Sequence, residues 1–220
     1  MKKLVFCLMA LTPAFAFAAP GPYATVQAGV NWVQPNANFQ NGATAATATS
    51  QNDAYGFVGG AAVGYLWGDN TINYGLEADG LVYPNTYSSS QHVGGSGGGT
   101  GNFQAKYDGY NLSLLAVLKY TSCSTGFTAF VKAGGAYVSQ QLDILQNSVT
   151  VNTFTSTSNV EPEAAVGVGY MLASNLEVDV TADGVFAGSQ NNINTAAVAA
   201  NSPNTTENYN FLVGLTYHFG

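Results

Sequence analysis

His92 and His218 are the only histidines in the 220-residue sequence, so a histidine-based catalytic site would have to use one of them. A serine nucleophile needs a base within hydrogen-bond reach and a third group that orients the base. His92 stands near Ser88, Ser89 and Ser90, but no acid is spaced to orient it, and His218 is followed only by Phe219 and Gly220. The run from Gly94 to Gly101 lacks the Gly-Lys-Ser/Thr ending and the following helix of a phosphate loop, and reads as a flexible loop tip. Asp53, Asp143 and Glu207 have no calcium-loop spacing. These residues predict no catalytic site, no cofactor and no metal.

The other charges fall in a pattern. Glu77 and Asp79, Glu161 and Glu163, and Glu177, Asp179 and Asp183 are spaced in twos and fours, and Lys119 and Lys132 share the parity of their own segments' polar residues. In a β-strand that spacing puts them on one face. The opposite face is apolar. Tyr209, Phe211, Val213, Leu215, Tyr217 and Phe219 alternate with Asn210, Leu212, Gly214, Thr216 and His218, a period of two.

Seven earlier segments repeat this alternation. Their apolar positions start at Ala24, Tyr55, Ile72, Tyr110, Phe127, Val160 and Leu176, and each segment opposes them with small or polar residues. Three connections are short: Gly68 to Asn70, Thr121 to Gly126 and Leu172 to Asn175. The others, Gln34–Asp53, Pro84–Asn102, Ser139–Asn159 and Ala187–Asn208, run to about twenty residues, far beyond a hairpin loop. Long and short connections strictly alternate, as they do in a membrane barrel.

Alternation alone leaves open which face points inward, since a soluble ligand-binding barrel puts its apolar face inside. Charge placement decides it. No mid-strand charge lies on the apolar face, where a lysine at the bilayer midplane costs roughly 2–4 kcal/mol. Lys106 and Asp108 share that face's parity but precede Tyr110, which places them above the membrane or beside a bulge. Aromatic residues cluster at both ends of the segments, as at two water interfaces. An open sheet edge would leave backbone groups unpaired in hydrocarbon, so the sheet must close.

Only 8% of residues are charged against 46% hydrophobic, in one domain's length, and mean hydropathy is +0.08, too low for a helical membrane protein. Lys2 and Lys3, the apolar run from Leu4 to Phe17 and the Ala-x-Ala sites predict a signal peptide over residues 1–18, with the barrel domain at 19–220. Without that leader three lysines face twelve acids, a charge of −9, and arginine is absent, which excludes nucleic acid as a partner. Cys123 is then the sole cysteine, so no intramolecular disulfide forms.

The pattern, the aromatic closing strand and segments such as Tyr74-Gly75-Leu76-Glu77-Ala78-Asp79-Gly80 resemble the small eight-stranded outer-membrane β-barrel family of the outer-membrane protein A transmembrane domain, its X-type relatives and the opacity-type surface proteins. The resemblance implies an all-β, antiparallel, up-and-down transmembrane barrel with short periplasmic turns and four long extracellular loops, exported to the bacterial outer membrane. It also implies that Tyr209, Phe211, Val213, Leu215, Tyr217 and Phe219 are the signal read by the barrel-assembly machinery. The sequence is expected to hold the barrel alone, as a monomer in outer-membrane lipid, without a peptidoglycan-binding domain.

Inside such a barrel Glu77, Asp79, Glu163, Asp179 and Asp183 face Lys132, with Lys119 nearer the short turns. Isolated buried charge is costly, so Lys132 is expected to pair with Glu77 at similar depth. The surplus acids are then hydrated, cation-bound or protonated. Three functions stay open: a surface protein whose loops meet a host, phage or neighbouring cell, a purely structural membrane component, or a narrow cation-preferring pore.

Overall fold

The computed structural model describes residues 20–33, 37–40, 47–50, 54–69, 71–88, 91–95, 98–122, 124–146, 149–186 and 207–219. The expected leader, Asn70, Ser96, Cys123 and Gly220 lie outside them, as does residue range 187–206 of the fourth long connection. The described residues form eleven strands: β1 (Pro22–Val33), β2 (Ala37–Gln40), β3 (Thr47–Ser50), β4 (Ala54–Gly68), β5 (Ile72–Ser88), β6 (Gln91–Gly95), β7 (Gly98–Thr121), β8 (Phe127–Gln146), β9 (Val149–Ala173), β10 (Leu176–Val185) and β11 (Asn208–His218). Eight of them, β1, β4, β5, β7, β8, β9, β10 and β11, pair antiparallel with their neighbours in chain order, and β1 pairs with β11 to close the barrel. β2 and β3 form a separate hairpin, and β6 adds to β7 beyond the barrel rim.

The pairing register fixes the barrel's shape. Followed from Pro22 through Tyr65, Leu76, Ala116, Ala133, Ala164, Gly184 and Tyr209, the partners return to β1 at Trp32, ten residues along. That stagger over eight strands about 4.8 Å apart, at about 3.3 Å rise per residue, sets a tilt of about 41° and a backbone radius of about 8 Å. So narrow a lumen is filled by side chains.

The two faces follow the expected alternation. The even residues of β1 from Val26, the odd residues of β4 and the odd residues of β11 from Phe211 point out, and their neighbours point in. Two aromatic belts ring the wall. Tyr65, Trp67, Tyr74, Tyr120 and Tyr217 lie at the short-turn end, with Trp32, Tyr55, Tyr110, Tyr137 and Tyr209 at the other. Tyr55 and Tyr65, like Tyr110 and Tyr120, are ten residues apart on one strand, which at this tilt advances about 25 Å along the axis, the height of an outer-membrane apolar band.

Two expectations need correction. The connections Pro84–Asn102 and Ser139–Asn159 are largely strand. β7, β8 and β9 stay paired from Phe103↔Gln146 and Gln146↔Val149 down to the short turns, and β9 alone has 25 residues. Above the belts no lipid imposes an apolar outer face, so the apolar alternation fades while β-branched Thr and Val still hold extended backbone. The inner face is also not merely small and polar. Val58, Leu81, Tyr83 and Leu212 form one buried apolar cluster, Ala136, Val138 and Val185 another, and Tyr23, Leu66 and Val117 a third nearer the short turns.

Lys106 and Asp108 meet both halves of their expectation. They lie past the upper belt, next to a register shift between Tyr83 and Thr86 of β5. Pro84 occupies that shift, where a residue without a backbone N–H costs the ladder nothing.

Candidate functional site

The lumen holds the charged residues in layers set by the register. In the lowest layer Glu177 of β10, 1% exposed, gathers three strands. Lys119 of β7 forms an ion pair with Oε2, and Thr128 of β8 donates to Oε1 at 2.5 Å. His218 of β11 places Nε2 3.0 Å from Oε2. A carboxylate only accepts, so this bond puts the imidazole proton on Nε2.

One layer up, Lys132 Nζ lies 2.7 Å from Glu77 Oε1 and 5.0 Å from the centre of the Phe130 ring. Tyr23 donates its hydroxyl to the other Glu77 oxygen at 2.7 Å. Asp179 accepts from Thr181 at 3.0 Å and from Thr216 at 3.4 Å, and Thr216 bonds Thr25 across the β1–β11 seam at 2.8 Å. A cavity of about 30 Å³ lies between the two ion pairs, among Tyr23, Leu66, Phe130 and Asp179. That is room for a water or two.

Farther up, Gln27 donates to both oxygens of Asp79 at 2.8 and 3.0 Å, Ser113 donates to Glu163 at 2.5 Å, and Asn210 donates to Asp183 at 2.6 Å. These three acids have amide or hydroxyl donors and no direct ion pair among the described residues. The apolar cluster around Tyr83 and Leu212 packs at the same height and above. Glu161 accepts from Asn159 at 2.7 Å at the outer mouth.

The structure thus brings Glu77 and Lys132 together, and Lys119 to Glu177. Asp179 it leaves in the layer of Glu77 and Lys132, and Asp79, Glu163 and Asp183 it places in the layer above. The cluster on Glu177 has no signal in the sequence beyond parity, because the register decides which inward residues share a height. His92 has no described side chain. Among the described residues no group of three or more His, Cys, Asp or Glu is placed to hold a metal ion.

The outward residues of the closing strand form an unbroken apolar row, with Phe211, Val213, Leu215, Tyr217 and Phe219 exposed on the wall and Tyr209 at the upper belt. The model of the outer membrane protein beta-barrel domain family matches residues 4–219. The chain belongs to that family. It is a bacterial outer-membrane barrel, with its short turns on the periplasmic side and its long connections outside.

The barrel is 28% identical over 190 residues to an uncharacterized protein of Coxiella burnetii, an alignment covering 78% of this chain and 71% of that protein. Among solved structures it is similar to Neisserial surface protein A, with a TM-score of 0.52 and 13% identity over 90% of this chain and 97% of that one. It is also similar to the N-terminal β-barrel domain of Pseudomonas aeruginosa OprF, with a TM-score of 0.49 and 12% identity over 90% and 97% of the two chains.

Proposed function

We infer that this outer-membrane barrel works without catalysis, as a filled anchor that presents a binding surface to the outside. One observation carries the reading. β7, β8 and β9 continue nine to twelve residues past the upper belt, from Tyr110 to Gly98, Tyr137 to Gln146 and Val160 to Val149, whereas β10 ends at Val185 and β11 begins at Asn208, both near it. At the barrel's tilt the longest of these reaches roughly 30 Å above the belt. Sealing a membrane needs no such projection.

The partner on this reading is a ligand on a host cell, a phage or a neighbouring cell, met by a sheet rich in Thr, Ser, Asn and Gln. The barrel acts as a monomer, and its β11 row is the mark read by the assembly machinery. Replacing residues 141–157 with a two-residue turn should abolish adhesion of expressing bacteria to cells or matrix. The heat-modifiable gel shift of the folded barrel should remain. Unchanged adhesion by the shortened barrel would remove the reading.

The narrow cation-preferring pore is the second reading. Its support is the lumen's charge, with Glu77, Asp79, Glu161, Glu163, Glu177, Asp179 and Asp183 against Lys119 and Lys132. Against it stand the apolar cluster above the ion pairs and, between the two pairs, a cavity of only about 30 Å³ narrowed by Tyr23, Leu66 and Val117.

A further inference from the structure

On the outer wall, just above the Tyr110–Tyr137 belt pair, a groove of about 580 Å³ opens between β5, β7 and β8. Its lower part is apolar, built by Val82, Pro84 and Tyr110, and continues the lipid-facing wall. Its upper rim is polar, with Lys106, Asp108 and Gln141. The bulge at Pro84 shapes the β5 side. The groove spans the boundary between hydrocarbon and headgroups, apolar below and charged above.

The charge there is singular. Of the three lysines beyond the leader, Lys119 and Lys132 are locked in the lumen, and the sequence has no arginine. Lys106 is therefore the one permanent cation on the wall of a chain whose charge is otherwise strongly negative. Its Nζ lies 2.5 Å from Asp108, and Asp143 stands opposite it in the β7–β8 register. The hydrogen bond that it donates to Asp108 holds the ammonium above the ordinary lysine range, so it stays charged.

We propose that this groove seats an outer-leaflet lipid whose headgroup phosphate binds Lys106 and whose first acyl carbons lie on Val82, Pro84 and Tyr110. A phosphate takes a charge-assisted hydrogen bond from the ammonium. The occupant is placed by continuity with the lipid-facing wall and by the single exterior lysine, whose ammonium a phosphate reaches by displacing the Asp108 contact beside Asp143. Asp108 competes for the same ammonium and keeps the affinity modest. It thereby sets a sign that a mere apolar contact would not have.

The test is native mass spectrometry of the full barrel in detergent micelles, titrated with dioleoyl phosphatidic acid or with dioleoylglycerol, which lacks the phosphate. One phosphatidic acid per barrel should be retained in preference to dioleoylglycerol. Lys106→Gln should weaken its retention about tenfold or more, the scale of one lost charge-assisted contact. Asp108→Asn, which frees the ammonium, should tighten it. The gel shift checks that both variants fold, and each changes one side chain at an exterior site. Equal retention of the two lipids, or phosphatidic acid bound as well by Lys106→Gln, would overturn the assignment. So would weaker binding by Asp108→Asn, which would point to a cation held by the acids.

Discussion

His218 Nε2 lies 3.0 Å from Glu177 Oε2, tying the end of the last strand to the start of the one before it. The same carboxylate holds Lys119 and Thr128, so one buried acid joins β7, β8, β10 and β11 at the periplasmic end. Breaking a buried pair from one side leaves a charge uncompensated, at a cost of about 3–5 kcal/mol, whereas removing both partners is far milder. Glu177→Gln should therefore unfold at markedly lower urea in vesicles. The double variant Glu177→Gln/Lys119→Met should recover most of that loss. A neutral Glu177→Gln would mean the cluster is not holding the barrel closed.

How much of this is legible in the sequence follows from where lipid acts. Between the belts every outward residue meets hydrocarbon, so Val26, Leu114 and Phe211 announce their face. Charge placement then tells inside from outside. Glu77 and Lys132 are expected at one depth, and they lie 2.7 Å apart. The Glu177 cluster is hidden, because its heights depend on the ten-residue stagger, which no single strand encodes. Val58, Leu66 and Leu81 are hidden differently: flanked by outward apolar residues, they break the alternation without a polar marker. The projecting strands leave no apolar period of two because no lipid imposes an apolar outer face on them.

The lipid-facing wall gives a second prediction. Leu114 is 63% exposed on it and Val180 36%, while Ser113, next in sequence to Leu114, points inward and donates to Glu163. Leu114→Lys and Val180→Lys should each lose roughly 2–4 kcal/mol and fold poorly into vesicles. Ser113→Lys brings an ammonium to an acid with no direct ion pair, and should be milder. Equal folding yields for the two classes, read by the heat-modifiable gel shift, would sink the assignment of faces.

Close backbone approach gives a third. A Cβ on Gly29 would stand 1.9 Å from the Phe211 carbonyl oxygen across the β1–β11 seam, and backbone cannot swing aside. Gly135, on the outward face, would meet nothing nearer than 3.9 Å. Gly29→Ala should prevent seam closure and leave the chain protease-sensitive. Gly135→Ala should fold like the parent, and similar protease resistance in both variants would refute the seam geometry.

Topology can be read on intact cells. With Cys123 replaced by Ser, a cysteine at Gln141, exposed past the upper belt, should react with a membrane-impermeant maleimide. One at Ser174, in the β9–β10 turn, should react only after the membrane is opened. The reverse labelling would turn the barrel over.

The last prediction separates the filled anchor from the pore. Lys132→Ala removes the cation of the middle layer and leaves Glu77 with the Tyr23 hydroxyl at 2.7 Å, so stability should fall by about 3–5 kcal/mol, the cost of unpairing a buried charge. The apolar cluster of Val58, Leu81, Tyr83 and Leu212 still closes the lumen above, and Tyr23, Leu66 and Val117 still close it below. Planar bilayers holding either the parent or Lys132→Ala should stay electrically silent. Current should appear only when Tyr83 and Tyr23 are also cut to Ala, and the excess of lumen acids should then make it cation-preferring. Cation-selective steps from the parent barrel, enlarged by Lys132→Ala alone, would favour the pore over the anchor. The Lys132–Glu77 pair would then be the gate of a conducting path, and the apolar clusters would have to move to let ions through.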